Sequence, residues 1–265
     1  ADAMDRARMA AGGGGAMSAL ELSNIGLSLG GIPVLDDVSM HVAQGEFVSI
    51  LGPSGCGKSS LLRLLTGALR PDRGEIRVGG APLDQSPQAF AFMPQRDALM
   101  PWRRIIDNVI LGLEVQGLGR MEARAKVQPL FAAFGLAGFE HHYPAQLSGG
   151  MRQRAALMRT IVQDRPVQLL DEPFGALDAL TRTEMQRWLE RRWQDARWTT
   201  VLVTHDVREA VALSDRIYVL SPRPARIIAE FEVPDRRPRL GTTLSPRAIR
   251  LEAELLDTLL TQTGD

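Results

Sequence analysis

A glycine-rich turn between a strand and a helix is the feature that most constrains this chain. The run Phe47–Leu51 is short and wholly apolar, which is typical of a strand buried in a parallel sheet. The segment Gly52–Ser59, with the sequence GPSGCGKS, follows directly. Leucines then recur at helical spacing within residues 58–68. The sequence therefore predicts a loop that wraps an anion at the N-terminus of a helix.

The turn fits the P-loop pattern of glycine, four residues, glycine, lysine and serine. Glycine lets the backbone approach a phosphate closely, and the helix N-terminus adds about half a positive charge. We expect Lys58 to reach the β- and γ-phosphates of ATP and Ser59 to bind Mg²⁺. The predicted nucleotide-binding residues here are Gly52, Pro53, Ser54, Gly55, Cys56, Gly57, Lys58, Ser59 and Ser60. The alternative is an ordinary glycine-rich turn, and Cys56 is interpreted as a small filler rather than a redox residue.

Strand-like runs alternate with helical patterns along most of the chain. Strands are predicted at 18–23, 37–43, 47–51, 167–170, 199–203, 216–220 and 225–233, and helices at 58–68, 150–163, 180–195, 207–213 and 246–261. Residues 102–135 carry further helical patterns. Such alternation is typical of an α/β domain with a parallel sheet. The first two strands are predicted to form a separate N-terminal β-layer.

Two carboxylates follow the predicted strand at 167–170. Residues at the carboxyl ends of parallel strands face the ligand crevice. We therefore expect Asp171 to hold Mg²⁺ through water and Glu172 to polarise the attacking water as a general base. The alternative is an acidic helix start after a strand. Gln168 is unexpected in a strand buried on both faces, so it either lies at an edge or has a partner for its amide.

His205 ends the next predicted strand, at 199–203. A single histidine is more often structural than catalytic. Because neighbouring parallel strands end at the same edge of a sheet, His205 is nevertheless a candidate sensor of the γ-phosphate.

A second anion site is predicted at Ser148–Gly150, where serine and glycine open the helix at 150–163. One chain therefore has two phosphate-binding helix starts. A single P-loop kinase has no use for the second.

Together these motifs resemble the ATPase subunits of ABC transporters, over about residues 18–222. The resemblance rests on six elements in family order: the P-loop, the Q-loop residue Gln95, the signature Leu147–Arg154, Asp171-Glu172, the D-loop Gly175–Asp178 and the switch His205. It implies an α/β P-loop NTPase with a RecA-like core and parallel sheet, an N-terminal antiparallel β-layer and an inserted α-helical subdomain at about 97–157. Residues 1–17 are expected to be a disordered tail and 223–265 a short extension that packs on the core.

The resemblance also implies a mechanism in which two subunits pair head to tail. Each ATP then lies between the P-loop of one subunit and Ser148, Gly149 and Gly150 of the other, with Asp178 also at the nucleotide. Gln95 would sense Mg²⁺ and the attacking water. Implied partners are a second ATPase subunit, transmembrane permease subunits and, indirectly, a periplasmic or lipid-anchored solute-binding protein. The location would be peripheral, on the cytoplasmic face of the inner membrane.

Finer details resemble importers of the nitrate, sulfonate and taurine group, notably the segment Met93–Trp102. Trp102 is expected either in the contact with the transmembrane subunit or in the core of the helical subdomain. Leu29 stands where the family has an aromatic residue that stacks on adenine, which reduces the expected base selectivity. Val34 is a possible apolar contact to the ribose and base, and Met151 replaces the glutamine of the common signature.

Composition narrows the alternatives. The 31 basic residues balance 31 acidic ones, whereas a nucleic-acid-binding chain usually has a basic excess. The one cysteine allows no internal disulfide. No apolar run approaches the roughly 20 residues of a membrane span. Remaining alternatives are the ATPase of an ABC exporter and an ABC ATPase without a transport role. The solute, and whether the dimer joins identical chains, stay open.

Overall fold

A computed structural model describes residues 18–86, 88–240 and 245–261. The tail predicted at 1–17 lies outside the described residues. The strands are β1 Ser18–Leu29, β2 Ile32–Ala43, β3 Phe47–Leu51, β4 Arg73–Val78, β5 Ala81–Pro82, β6 Phe90–Met93, β7 Val167–Asp171, β8 Thr199–Val203, β9 Arg216–Leu220 and β10 Ile227–Glu232. The α-helices are α1 Lys58–Leu65, α2 Ile105–Val109, α3 Leu111–Val115, α4 Arg120–Ala133, α5 Gly149–Ile161, α6 Ala179–Ala196, α7 Val207–Leu213 and α8 Pro246–Thr261.

A six-stranded sheet in the order β10-β9-β3-β8-β7-β6 organises the molecule. The five neighbouring strands from β9 to β6 run parallel, and β10 is antiparallel at the edge. Every residue of β3, β7 and β8 is buried, as expected when helices cover both faces of a parallel sheet. The carboxyl ends of β3, β7 and β8 therefore meet at one edge, where the predicted site residues follow.

Gln168 lies on β7, which is a central strand with β8 and β6 on either side. Its side-chain amide donates to the carbonyl of Arg165 at 2.8 Å, although its Oε1 accepts no hydrogen bond. Of the two explanations that the sequence left open, the edge position is wrong and the amide partner is confirmed.

A four-stranded antiparallel sheet in the order β2-β1-β4-β5 forms the N-terminal layer. The β1–β2 hairpin turns at Gly30 and Gly31, both with positive φ, which glycine adopts at little cost. Strands β4, β5 and β6 were not predicted, and the two predicted N-terminal strands extend further than expected. Leucines, valines and isoleucines of this layer pack with α1 and the large sheet in one hydrophobic core.

Helices α2 to α5 form a second packed unit, with a core that contains Ile105, Val109, Val127 and Phe131. The helical patterns predicted over 102–135 resolve into three separate helices rather than a continuous one. Trp102 is 73% exposed, so its placement in a subdomain core is wrong. Within the described residues, no helix is both long and apolar enough to cross a membrane.

The extension after residue 222 packs against the core, as expected. Strand β10 pairs with β9, and α8 buries Ala248, Leu251 and Leu255 in a core shared with α7. In the segment between β10 and α8, Arg237 and Arg239 both lie close to Asp215, the residue that directly precedes β9. Burial lowers the pKa of Arg239 to about 10, and Arg237 stacks on Trp193 at 4.2 Å.

Candidate functional site

The P-loop connects β3 to α1 in a conformation that needs glycine. Gly57 has a φ of 128°, and a Cβ there would stand 3.0 Å from side-chain carbons of Val34 and Leu35. Gly55 also has a positive φ, of 77°, but faces open space. No side chain caps α1, so the loop leaves the first amides of the helix available to an anion.

Lys58 is 6% exposed and its ammonium is held by the loop itself. Its Nζ donates to the carbonyls of Gly52 at 2.7 Å and Pro53 at 2.8 Å. The ammonium of Lys58 therefore lies against the first two residues of the loop.

Three other predicted contacts differ in how much of each side chain is accessible. Cys56 is 2% exposed and its Sγ is one of the atoms nearest to Gly52, consistent with a small filler. Val34 is also 2% exposed, so little of it can touch a base. Leu29 lies at the tip of the β1–β2 hairpin and is 38% exposed. An aliphatic side chain therefore stands where an aromatic one would stack.

Asp171 ends β7 next to the P-loop and is 3% exposed. Burial raises the pKa of its carboxyl, whereas a hydrogen bond with Ser59 and the charge of Lys58 act in the opposite direction. A hydroxyl and a carboxylate are oxygen ligands of the kind that Mg²⁺ prefers. The described residues contain no cluster of three or more metal-binding side chains. One carboxylate beside a phosphate loop is nevertheless a normal Mg²⁺ site, because the nucleotide supplies the other ligands.

Glu172 adopts a φ of 48°, the left-handed region that non-glycine residues seldom occupy. This conformation is held by two backbone contacts. Its N–H donates to the carbonyl of Val203 at 2.8 Å, and its carbonyl accepts from the side chain of Gln153 at 3.1 Å. The chain therefore turns its carboxylate away from the strand and toward the crevice.

The three predicted catalytic side chains come together around that carboxylate. Gln95 Nε2 donates to Glu172 Oε2 at 3.3 Å, and His205 Nδ1 lies 3.3 Å from Glu172 Oε1. Gln95 follows β6 and His205 follows β8, so the two strands that flank β7 deliver them. A carboxylate flanked by an amide and an imidazole can orient a water molecule and accept its proton.

The segment around His205 is tied to the D-loop by α6 and α7. Asp206 caps α7 by accepting from the amides of Arg208 and Glu209, and its carboxylate pairs with Arg182 of α6 at 3.5 Å. Burial raises the pKa of Glu209, even though Gln186 of α6 donates a hydrogen bond to it at 2.9 Å. Sequence patterns gave no sign of these links.

Ser148 caps α5, and its hydroxyl accepts from the amide of Met151 at 3.2 Å. Ser148 and Gly149 are exposed, and a Cβ at Gly149 would meet nothing within 4 Å. Gly150 faces the D-loop, where its Cβ would lie 3.4 Å from Leu177. Asp178 is exposed and caps α6 by accepting from Thr181, a contact that lowers the pKa of its carboxyl.

Two arginines of α5, neither of which was a predicted site residue, hold the segment that follows Gln95. Arg152 Nε donates to the carboxylate of Asp97 at 2.9 Å, and its Nη1 donates to the carbonyl of Leu147 at 2.8 Å. Arg159 donates to the carbonyls of Asp97 and Ala98, both at 2.7 Å. The signature helix and the Q-loop segment are therefore one connected piece.

The predicted site residues fall into two groups. Residues 52–60, Gln95, Asp171, Glu172 and His205 lie at one edge of the large sheet. Within the described part of the chain, no hydrogen bond joins Ser148–Gly150 to residues 52–60. The second anion site is therefore built separately from the first.

Comparison with known sequences assigns the chain to a family. The profile of the ABC transporter family matches residues 35–175. The chain belongs to the ABC transporter family. This confirms the family predicted from the P-loop, signature and switch residues.

Two curated ABC relatives match most of the chain. It is 44% identical to the aliphatic sulfonates import ATP-binding protein SsuB 2 of Pseudomonas aeruginosa (strain UCBPP-PA14), over 92% of this chain and 85% of that protein. It is 42% identical to the taurine import ATP-binding protein TauB of Yersinia pestis bv. Antiqua (strain Antiqua), over 81% of this chain and 84% of that protein.

Solved ABC structures agree with the fold. The dimeric structure of a post-hydrolysis state of the ATP-binding cassette MJ0796, bound to ADP and Pi, matches with a TM-score of 0.74 and 28% identity. The match covers 82% of this chain and all of that one. A second dimeric structure of MJ0796 matches with the same TM-score and 29% identity. These matches confirm the predicted P-loop NTPase fold.

Proposed function

We propose that this ABC ATPase powers the import of a small sulfonate, such as an alkanesulfonate or taurine, by binding and hydrolysing ATP. The observation that carries the ATPase activity is the carboxylate of Glu172, held between Gln95 and His205 beside the P-loop. The import direction and the solute class are supported by the similarity to SsuB 2 and TauB over most of the chain.

The P-loop binds the triphosphate in this proposal. Amide groups at the start of α1 donate hydrogen bonds to the phosphate oxygens, and Lys58 adds a full positive charge from its buried position. Ser59 and Asp171 would hold Mg²⁺, which neutralises charge on the β- and γ-phosphates when bound.

Glu172 acts as the general base. It accepts a proton from a water molecule as the water oxygen attacks the γ-phosphorus, and the bond from that phosphorus to the β-γ bridging oxygen breaks to give ADP and phosphate. His205 and Gln95 keep the carboxylate in place and position the water. The left-handed backbone of Glu172 fixes the direction of the carboxylate before ATP arrives.

Two copies of the chain complete the site. The exposed helix start at Ser148–Gly149 would contact the γ-phosphate bound by the other copy. It is accessible from outside the chain, and a Cβ at Gly149 would meet nothing within 4 Å. The dimeric cassette structures similar to this chain support that arrangement. Hydrolysis would then release the dimer.

The proposal includes permease subunits as the membrane partners and a solute-binding protein as an indirect one, with the chain on the cytoplasmic face of the inner membrane. It places the ATPase domain at 18–222, the helical subdomain at about 97–157 and the extension at 223–265. Exposed Trp102, beside the segment held by Arg152 and Arg159, is the proposed permease contact.

Growth of a deletion strain on single sulfur sources tests import. We expect loss of growth on taurine or an alkanesulfonate but not on sulfate, with restoration by the wild-type chain and by Glu232→Gln, an exposed control on β10. Glu172→Gln should fail to restore growth. Normal growth of the deletion strain on every sulfonate would contradict the proposed solute class.

The same variant tests the paired site in solution. Purified Glu172→Gln should bind ATP as well as the wild type and elute as a dimer on sizing chromatography with Mg-ATP, since it binds without hydrolysing. A monomer under those conditions would contradict the paired site.

A further inference from the structure

In the described part of the chain, helix α8 has two apolar faces, one packed on α7 and one exposed to solvent. Ala248, Leu251 and Leu255 pack on α7. On another face, Ile249 is 55% and Leu256 50% exposed, and exposed Ala253 lies between them at helical spacing. Leu260, 67% exposed, continues this face by one turn. We call Ile249, Ala253, Leu256 and Leu260 the outer stripe.

The helix that carries the outer stripe is firmly placed. Ser245 N donates to Asp235 Oδ2 at 2.9 Å, and Ser245 Oγ accepts from the amide of Ala248 at 3.2 Å, which caps the helix. The contact with α7 fixes the other side. The outer stripe is thus a rigid surface feature rather than the side of a detached helix.

The charges of α8 stand at the ends that its own dipole disfavours. Arg247 and Arg250 lie near the N-terminus, and Asp257 lies near the C-terminus. A helix N-terminus attracts anions and a C-terminus attracts cations, so this arrangement costs stability in an isolated helix. It becomes favourable beside a helix that runs the other way.

Arg250 and Asp257 are seven residues apart, so both project from the same side of the outer stripe. In a two-fold antiparallel pair of α8 helices, Arg250 of each copy lies next to Asp257 of the other. Two identical ion pairs then flank a shared apolar seam, as a self-complementary two-fold contact requires. A lipid surface fits less well, because α8 bears three acidic and only two basic side chains.

We infer that α8 is a contact between two copies of this chain, in which the outer stripes of antiparallel α8 helices pair across a two-fold axis. The charges of α8 support a second copy as the occupant, because Arg250 and Asp257 each find an opposite charge on an antiparallel copy of the same helix. A stripe of four side chains is small beside a stable interface of roughly 1,200 Å² or more. By itself the contact therefore forms only transiently, which cross-linking can trap, and it lasts longer when another contact tethers the two copies at high effective concentration.

Cysteine cross-linking of the full chain tests the pairing. Ala253→Cys places a thiol in the outer stripe, and Glu254→Cys places one at the same height on a neighbouring, exposed face. The native Cys56 is 2% exposed and stays in both. Under a mild oxidant without nucleotide, we expect Ala253→Cys to form a disulfide-linked dimer at least ~10-fold faster than Glu254→Cys. Similar rates for the two variants would overturn the inference.

A charge swap tests the orientation. In the Ala253→Cys chain, Asp257→Arg should slow cross-linking about threefold or more, because two arginines then face each other. Adding Arg250→Asp should restore the rate to within about twofold of the parent. Slowing without restoration would overturn the antiparallel pairing, and circular dichroism of each variant checks that α8 remains folded.

Mg-ATP separates this inference from the proposed function. If ATP joins two copies through their P-loops and signatures, it should accelerate cross-linking of Ala253→Cys further. Equal rates with and without Mg-ATP would count against the ATP-dependent dimer only. Equal rates for the two cysteine positions without nucleotide would count against the α8 contact only.

Discussion

The two helix starts that the sequence singled out differ in how much of a phosphate site each completes. At α1, the loop buries Lys58 and leaves the helix without a side-chain cap. At α5, Ser148 caps its own helix and both Ser148 and Gly149 are exposed. In the proposed function, the α1 start is a complete phosphate site within one chain, which we call the finished cradle. The α5 start is then half of a site, which we call the half-site, because its phosphate is bound by the other copy.

The largest effect should come from removing the cation of the finished cradle. Lys58→Ala should weaken ATP binding by at least ~100-fold, since a buried charge-assisted contact to phosphate is lost. Isothermal titration calorimetry measures this. The matched control is Lys126→Ala, because Lys126 is the other lysine of the chain and is exposed on α4. Binding within about threefold of the wild type would show that the α1 cradle does not hold the phosphates.

A methyl group at each helix start separates the two sites. Gly149→Ala should leave folding and ATP binding to one chain unchanged, because its Cβ meets nothing within 4 Å. We expect steady-state ATPase activity to fall about 10-fold, since the methyl group intrudes on the partner's γ-phosphate.

Gly57→Ala is the counterpart in the finished cradle. Its φ of 128° and the 3.0 Å approach to Val34 and Leu35 predict strain in the loop. ATP binding to the single chain and the melting temperature should therefore both fall. Full ATPase activity of Gly149→Ala would contradict the half-site interpretation of α5.

Buried elements of the fold could be predicted from the sequence, whereas exposed or short edge strands could not. Strand β8, strand β9, helix α7 and helix α8 were predicted with the observed bounds, because short apolar runs and helical spacing mark buried elements of a layered sheet. Strand β4 was missed because three of its six residues in succession are exposed and only Ile76 and Val78 are buried. Edge strand β6 has just four residues, too few for a period to be recognised.

Within the site, the ends of the predicted parallel strands indicated that Glu172 and His205 would lie at one edge of the sheet. Gln95 was expected there only from the family resemblance, because strand β6 was not predicted. The supports of those residues were not predictable. Gln153 donates to a backbone carbonyl 19 positions away in sequence, and Arg159 to one 61 positions away. Such contacts depend on how helices pack. Gln153 lies in the signature and Arg159 follows it, but the sequence pattern alone did not indicate the partner of either residue.

A smaller effect is expected from loosening the link between the half-site and the Q-loop. Asp97→Asn removes the ion pair with Arg152. The side chain of Asp97 is 31% exposed and that of Arg152 is 35% exposed. A partly exposed ion pair stabilises the arrangement it holds by at most about 1 kcal/mol, so the maximal ATPase rate should fall about two- to fivefold. Steady-state kinetics should show little change in the apparent KM for ATP. Asp195→Asn, exposed on α6, is the control. A changed KM with an unchanged maximal rate would contradict a link that acts through the signature helix.

The smallest effect concerns the adenine base of ATP, which lies beyond the phosphates that the two helix starts would bind. Leu29 is 38% exposed at the hairpin tip and offers no aromatic face. Leu29→Tyr should strengthen ATP binding by about fivefold, since an aromatic stack contributes roughly 1 kcal/mol. The preference for ATP over inosine triphosphate should shift as well, because the tyrosine ring would contact the base itself. Ile228→Tyr, with a similar exposure of 39% on β10, is the control. Unchanged affinity in Leu29→Tyr would mean that the hairpin tip lies away from the base and that the finished cradle supplies nearly all of the affinity for ATP.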